Sequence, residues 1–534
     1  MKKHGLTKIL AVILLIVVIL SWFVKGRSDA VSQIALGDTV MNYFQSFYYF
    51  DVMLFILVVG GFYELLEHTS GYNNLIKNIE AKTKKKKLIV FIITIVFALL
   101  SSLAGLNIML LIFIPFAISL VIALGYDKIT ALLATIGATT IGMIGGIFKT
   151  IRVSSSYYGV SYSTYAELVG LDNKWATIIT NIILLVASLI VLIIFMNIRM
   201  KNTKVEKEEV EEETKNEEVK KEVKVVKEET KAPKKETTKT KPKTTNTKSS
   251  NTTSKKKTAA KNTKKTTKKN LSAAKKDDTI VIKKDKKGKT LPLIIIMLVL
   301  LILLVLGYLP WNSLFGITVF DDFHTWLTEI KIGDCALFTS IISSNITAFG
   351  NWGSLGMEYI IAMFLLVIVS IIIKFVYKIK FNDVLDYYIE GMKKALPSVL
   401  LMMLAFTILV CAYNNGFMET IMSAASDTFG DNPIIYSLLA IVGTILNVSE
   451  LYVTQGIYSS IVNLLPDTAN LNVYAVAFQG IFGLLQLIGP TSIIMIAGLS
   501  ITDVSYKDWF KNIWKLVLIL LLLIFIAMPI ASML

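Results

Sequence analysis

The sequence predicts an all-α, polytopic membrane protein of about eleven spans. Three observations carry that expectation. Of its 534 residues 54% are hydrophobic, and they gather into runs long enough to cross a bilayer. Lysines collect in particular loops and are sparse in the others. Two of the apolar runs, one in each half of the chain, are broken by glycine, proline and hydroxyl residues at corresponding places.

Apolar windows fall near residues 8–24, 50–66, 87–104, 107–125, 129–148 and 175–198, then 291–309, 335–349, 357–376, 396–413, 433–447, 453–465, 474–498 and 516–532. The shorter or more interrupted ones suit re-entrant hairpins better than full crossings. The opening MKKHGLTKILAVILLIVVILSWFVKG has the basic start and apolar stretch of a signal peptide, without a small-x-small cleavage site after it. It is expected to stay as a first helix.

Lysine placement sets an orientation. MKKHGLTK, the lysines of residues 77–87, the segment 201–290, KFVYKIK at 374–380, Lys393 with Lys394, and YKDWFKNIWK at 506–515 are expected on the cytoplasmic side of a cell membrane. That places the N-terminus inside.

The net charge of +16 invites a nucleic-acid reading, so its location decides. Residues 201–290 hold 30 Lys against 15 Asp and Glu, which accounts for nearly all of it. This stretch is first Glu/Lys-mixed and then Lys/Thr-rich, too poor in apolar groups to offset chain entropy, and is expected to be a disordered linker. No aromatic residues alternate with its lysines for base stacking, which argues against nucleic acid as a partner. Its charge suits either a tether to anionic lipid headgroups or a solvated, self-repelling linker kept inside by that charge. The chain thus divides into residues 1–49 (first helix and external loop), 50–200 (first membrane repeat), 201–290 (linker) and 291–534 (second membrane repeat).

The two halves read alike. GYDKITALLATIGATTIGMIGGIF (125–148) begins at a polar turn, runs apolar and breaks around Gly142, Gly145 and Gly146. NLNVYAVAFQGIFGLLQLIGPTSIIMIAG (470–498) does the same and breaks at Gly489, Pro490, Thr491 and Ser492. Each is preceded by an apolar pair with polar residues between its arms: Ser101, Ser102 and Asn107 in the first half, and Asn447, Ser449 and Glu450 in the second. By the lysine assignment the repeats start in opposite directions, the pattern of inverted repeats.

Irregular backbone at membrane depth survives only inside protein or beside a watery cavity, because lipid cannot satisfy freed amides and carbonyls. The free ends of broken helices, with hydroxyl and carbonyl oxygens, suit an ion or charged solute. Thr139 and Thr140 precede the first break and mirror Thr491 and Ser492. Each threonine taken alone is expected to bond back to its own helix. Gln479 and Gln486, seven apart on one helix face, either line a polar path into the break or pack against a neighbour. Glu450 is costly at membrane depth and reads as a ligand or proton carrier, unless its turn reaches the outer surface. Thr454 and Gln455 lie beside it. Ser343, Ser344 and Asn345 fall in a weakly apolar stretch, Glu358 opens the next span, and His68 and His324 are expected to be solvated. Cys335 and Cys411 show no metal-ligand spacing and read as packing residues.

At these residues the chain resembles YfcC/DcuC-type carriers, the C4-dicarboxylate anaerobic carriers or basic amino-acid transporters of the ion transporter superfamily. GGFYELLEHTSGYNNLI (60–76), ALGYDKITA (123–131) and IGPTSIIMIAGLSITDVSYKDWFKNIWKL (488–516) carry the resemblance. It implies a secondary carrier of a small charged solute, an amino acid or a carboxylate, coupled to Na+ or H+ or run as an exchanger, without an organic cofactor. It also implies scaffold and transport subdomains, elevator-like movement and a homodimer. Members often carry an acidic pair near the first hairpin and Asn-Pro-Phe after the first break, whereas this chain has AGLNIMLLIFIPF (104–116) and GGIFKTIRV (145–153). No phosphate-binding loop, His/Glu metal spacing or nucleophile triad points to an enzyme. Those departures and the long insert leave a second class open, a transport-inactive membrane anchor presenting a basic lipid- or RNA-binding segment.

Overall fold

The computed structural model describes residues 5–24, 33–147, 175–201, 289–352, 358–430, 432–446 and 471–534. The linker expected at 201–290 lies outside them beyond its first and last residues.

Helices dominate. In the first half they are α1 (Gly5–Phe23), α2 (Leu36–Gln45), α3 (Phe50–Glu67), α4 (Ser70–Lys82), α5 (Lys86–Ala104), α6 (Ile114–Ala123), α7 (Lys128–Ile144) and α8 (Trp175–Lys201). The second half continues with α9 (Leu291–Tyr308), the short α10 (Trp311–Phe315), α11 (Val319–Glu329), α12 (Leu337–Ile342) and α13 (Ser344–Thr347). After these come α14 (Glu358–Tyr377), α15 (Phe381–Asn415), α16 (Phe417–Phe429), α17 (Pro433–Leu446), α18 (Leu471–Ile488), α19 (Ile493–Thr502) and α20 (Tyr506–Met533). A two-residue hairpin pairs Lys331 with Ala336 and Ile332 with Cys335, antiparallel.

Among the described residues, eight stretches have the length and apolar composition of a span, and the pair α2 and α3, bent by 58°, makes a ninth. Of the apolar windows, those at 107–125 and 129–148 hold α6 and α7, both shorter than a bilayer crossing, as suits interrupted rather than full spans. The window at 335–349 is not a helix at all for its whole length; the hairpin and two short helices occupy it, and Ile341 is exposed. Conversely, the windows at 396–413 and 516–532 are parts of longer helices, because α15 and α20 start in charged amphipathic turns before the apolar run.

The long helices are inside out relative to a soluble protein. Along α8, Ile179, Ile183, Val186, Ile190, Ile194 and Ile198 are exposed while Thr177, Thr180, Asn181 and Ser188 are buried. Lipid solvates the isoleucines, and the polar groups turn inward to find partners.

Two packed groups form, each drawing on both halves. In one, α3 lies along α15 and α14, with α1 and α2 against α15 and α9 against α14. Glycines let α3 and α15 touch: a Cβ on Gly391 would stand 2.2 Å from the Gly60 carbonyl oxygen. In the other, α5 packs on α7, α7 on α18, and α18 on both α17 and α20. The groups meet where α15 contacts α19 and where the Tyr63 hydroxyl of α3 donates to the Ile112 carbonyl, 2.6 Å away, in the 3-10 turn before α6.

Candidate functional site

The first break is built by close approach. α7 contains a π turn at Leu133–Gly137 and ends at Gly145. Such wide turns are often found at functional places. A Cβ on Gly142 would stand 2.4 Å from the Ala98 carbonyl oxygen, and one on Gly145 would stand 2.5 Å from the Leu185 Cα. Only glycine lets α5 and α8 close around the end of this helix. From α18, a Cβ on Gly483 would meet the Ile144 nitrogen at 2.4 Å, so the second half reaches the same point.

Three carbonyls near the end of this helix, those of Thr139, Gly145 and Gly146, are met by side chains. The Ser102 hydroxyl donates to the Gly145 carbonyl (2.8 Å). The Ser101 hydroxyl lies 2.8 Å from the Thr139 carbonyl and 2.7 Å from Asn107 Oδ1. Gly146 is held twice, by Asn181 Nδ2 (2.9 Å) and by Gln479 Nε2 (2.8 Å).

The second break follows the same rule. Pro490 cannot donate, and the chain turns from α18 into α19 at Gly489–Ser492. The last carbonyls of α18 would face an apolar interior unpaired. Instead Ser492 Oγ donates to the Gln486 carbonyl (2.8 Å), Trp509 Nε1 to Leu487 (2.9 Å) and the Tyr506 hydroxyl to Ile488 (2.6 Å). Ser492 also caps α19 by accepting from the Met495 amide (3.3 Å), and its Oγ lies 2.9 Å from Gln486 Oε1. Thr491 donates to the Ile445 carbonyl at the end of α17 (2.8 Å).

The structure therefore gathers Asn107, Thr139, Gly142, Gly145, Gln479, Gln486, Gly489, Pro490, Thr491 and Ser492 around two neighbouring breaks. A mirrored role for the threonines is not seen in their hydroxyls. Thr139 donates to Thr135 and Thr140 to Gly137, both within their own helix, whereas Thr491 and Ser492 bridge elements. Asn447, Ser449, Glu450, Thr454 and Gln455 lie outside the described residues.

Several side chains depart from the sequence reading. His68 is not simply solvated: its ring stacks on Tyr387 with centroids 3.9 Å apart, and Nδ1 lies 2.8 Å from the Glu64 carbonyl oxygen. His324 lies 2.8 Å from the Thr347 hydroxyl. Cys411 is buried and accepts from Asn42 (3.1 Å), but Cys335 is exposed, its thiol 3.3 Å from the Ser340 hydroxyl. Asn181 carried no motif and escaped the sequence reading. Its signal was the amide inside the otherwise apolar run of α8.

Charge gathers at one end of this group. Arg199 of α8 donates from one guanidinium nitrogen to Asp127 (2.6 Å) and from the other to Asn512 of α20 (2.6 Å). Burial pushes the Asp127 carboxyl up, but hydrogen bonds from Arg199 and Thr130, with the arginine charge, outweigh it and hold the group below its ordinary value. On the opposite side, a cavity of about 840 Å³ opens beside Tyr474, Asn432 and Ser532.

A junction of two interrupted helices closed by side-chain donors, set among helices long and apolar enough to cross a membrane, is the architecture of a polytopic membrane carrier. A family model described as citrate transporter matches residues 2–343, and one described as C4-dicarboxylate anaerobic carrier matches residues 251–533. The chain belongs to these carriers of the ion transporter superfamily. No curated protein and no solved structure gives a match.

Proposed function

We propose that the chain is a secondary active carrier of small carboxylates, citrate or C4-dicarboxylates, which its family's descriptions name. One observation carries the choice of an anion. The carbonyls of Gly145, Gly146, Gln486, Leu487 and Ile488 each already accept at least one hydrogen from the protein, which weakens them as ligands for a cationic solute. What the junction has to offer is the amide end of α19, which favours negative charge. An amino acid fits this less well, since its ammonium group would have to share acceptors that already hold a donor.

Hydroxyl oxygens that have given up their protons, at Ser101, Thr491 and Ser492, keep lone pairs suited to a coupling Na+; H+ coupling through Glu450 and exchange are the other modes. The lysine-marked ends lie in the cytoplasm in this reading, and the cavity beside Tyr474 faces outward as a vestibule. The group built on α3, α14 and α15 serves as scaffold and, in a homodimer, as the fixed part. The group holding both breaks moves, and the linker lies against anionic lipid.

Uptake into proteoliposomes decides it. Radiolabelled citrate, succinate, fumarate and an amino-acid panel are tested with and without Na+ and pH gradients, comparing wild type with Glu450→Gln and Thr491→Val/Ser492→Ala. Gradient-dependent carboxylate uptake that the variants lose is expected. Amino-acid uptake alone, or no flux from well-reconstituted protein, overturns the reading, and the latter favours the anchor-module alternative.

A further inference from the structure

The Gly146 carbonyl is the place where the two halves of the chain hold the same atom. Asn181 reaches it from α8 and Gln479 from α18, residues 298 positions apart in sequence, and both donate through an amide nitrogen. Asn181 is 2% exposed and Gln479 6%. One donor would satisfy a buried carbonyl; two together also fix the direction in which it points.

Asn181 also bears a cost. Its Oδ1 is buried with no hydrogen-bond partner among the described residues, because the amide is oriented to give Nδ2 to Gly146. An apolar residue of similar size would pack in α8 without leaving that acceptor orphaned. The orientation therefore serves the carbonyl rather than the helix.

Gly146 follows the carbonyl end of α7, where partial negative charge accumulates. A carbonyl free to swing would turn that charge toward the junction and repel an anion there. We propose that Asn181, with Gln479, is a positioning residue of the carrier site: the two amides hold the Gly146 carbonyl away from the solute and so keep the junction receptive to negative charge. This rests on the carboxylate reading above. Thr177 and Asn472, 3.0 Å apart on the same two helices, are a hydroxyl and an amide, and neither titrates.

The test exchanges the donor without changing its size. In Asn181→Asp the ionised carboxylate cannot donate and faces the Gly146 carbonyl, but once protonated its O–H can. Burial raises the pKa of such a group, so acidification restores the donor. In Asn181→Leu nothing restores it. Carboxylate uptake by full-length protein in proteoliposomes is measured at pH 8 and pH 5.5, each variant normalised to wild type at the same pH.

At pH 8 both variants are expected to raise KM about tenfold, the loss that one hydrogen bond's worth of binding brings, with Vmax little changed. At pH 5.5 the Asp variant is expected to recover while the Leu variant does not. A KM unchanged in both, a loss confined to Vmax, or equal behaviour of the two variants at both pH values overturns the positioning role while the carboxylate reading stands. If wild type carries amino acids and no carboxylate, the carboxylate reading falls and takes the positioning role with it.

Discussion

The ammonium of Lys394 stands 2.5 Å from the carboxylate of Glu64, about one helical turn beyond the point where Gly60 and Gly391 bring α3 and α15 into backbone contact. Glu64 is 6% exposed, while Lys394 also reaches Glu390 at 3.3 Å and keeps a partly solvated side chain. The pair joins the two halves within the group that holds neither break.

Removing the lysine leaves a buried carboxylate with its main partner gone. Lys394→Met is expected to cost about 2–3 kcal/mol, and the double variant Glu64→Gln/Lys394→Met less than the single one. Thermal unfolding in detergent checks both. A double variant less stable than the single would show that the pair is not what Glu64 needs.

At the same crossing, Gly391→Val places atoms where the Gly60 carbonyl already is, so the helices must separate. A sharp fall in monodisperse protein by size-exclusion chromatography is expected. Gly37→Ala, with open space around its Cβ, is expected to leave the elution profile and the melting temperature nearly unchanged.

The Asp127 carboxyl is held below its ordinary value of 3.8, so it stabilises the folded state wherever the unfolded group is also ionised. The gap in melting temperature between wild type and Asp127→Asn should therefore be constant from pH 5 to 8. It should close as the pH falls below 3.8 through the folded value. A gap that widens on acidification would reverse the sign and exclude this role for Arg199.

The donors that close the end of α18 are each expected to matter for folding. Tyr506→Phe orphans the Ile488 carbonyl and Trp509→Phe that of Leu487, at about 1–3 kcal/mol apiece. Unfolding midpoints measured singly and together test this. Additivity is not expected, since both acceptors lie on one turn.

Deleting residues 204–284 should leave folding and uptake intact if the linker only connects the halves. Loss of flux with the membrane unit still folded would move function into the basic segment.

Much of the architecture was legible in the sequence because a bilayer imposes length and composition locally. Runs of apolar residues marked α1, α5, α8, α9, α14 and α20, and the glycine and proline interruptions marked both breaks. The window at 335–349 misled because hydrophobicity alone does not distinguish a span from an exposed hairpin and short helices. The hydroxyls at the two breaks looked equivalent in sequence. Thr139 and Thr140 nevertheless spend their protons inside their own helix, while Thr491 and Ser492 reach other segments, a difference that only the neighbouring backbone creates.

By itself the sequence determined an all-α membrane chain with an interrupted helix in each half, since hydropathy and helix breakers are local properties of consecutive residues. Tertiary structure alone decided what the interruptions became. Which donor meets which freed carbonyl depends on helices hundreds of residues apart approaching to within hydrogen-bonding distance, as Asn181 and Gln479 do at Gly146 and Lys394 does at Glu64. Hydrogen bonds and ion pairs act over a few ångströms in space, and no pattern of neighbouring residues encodes that distance.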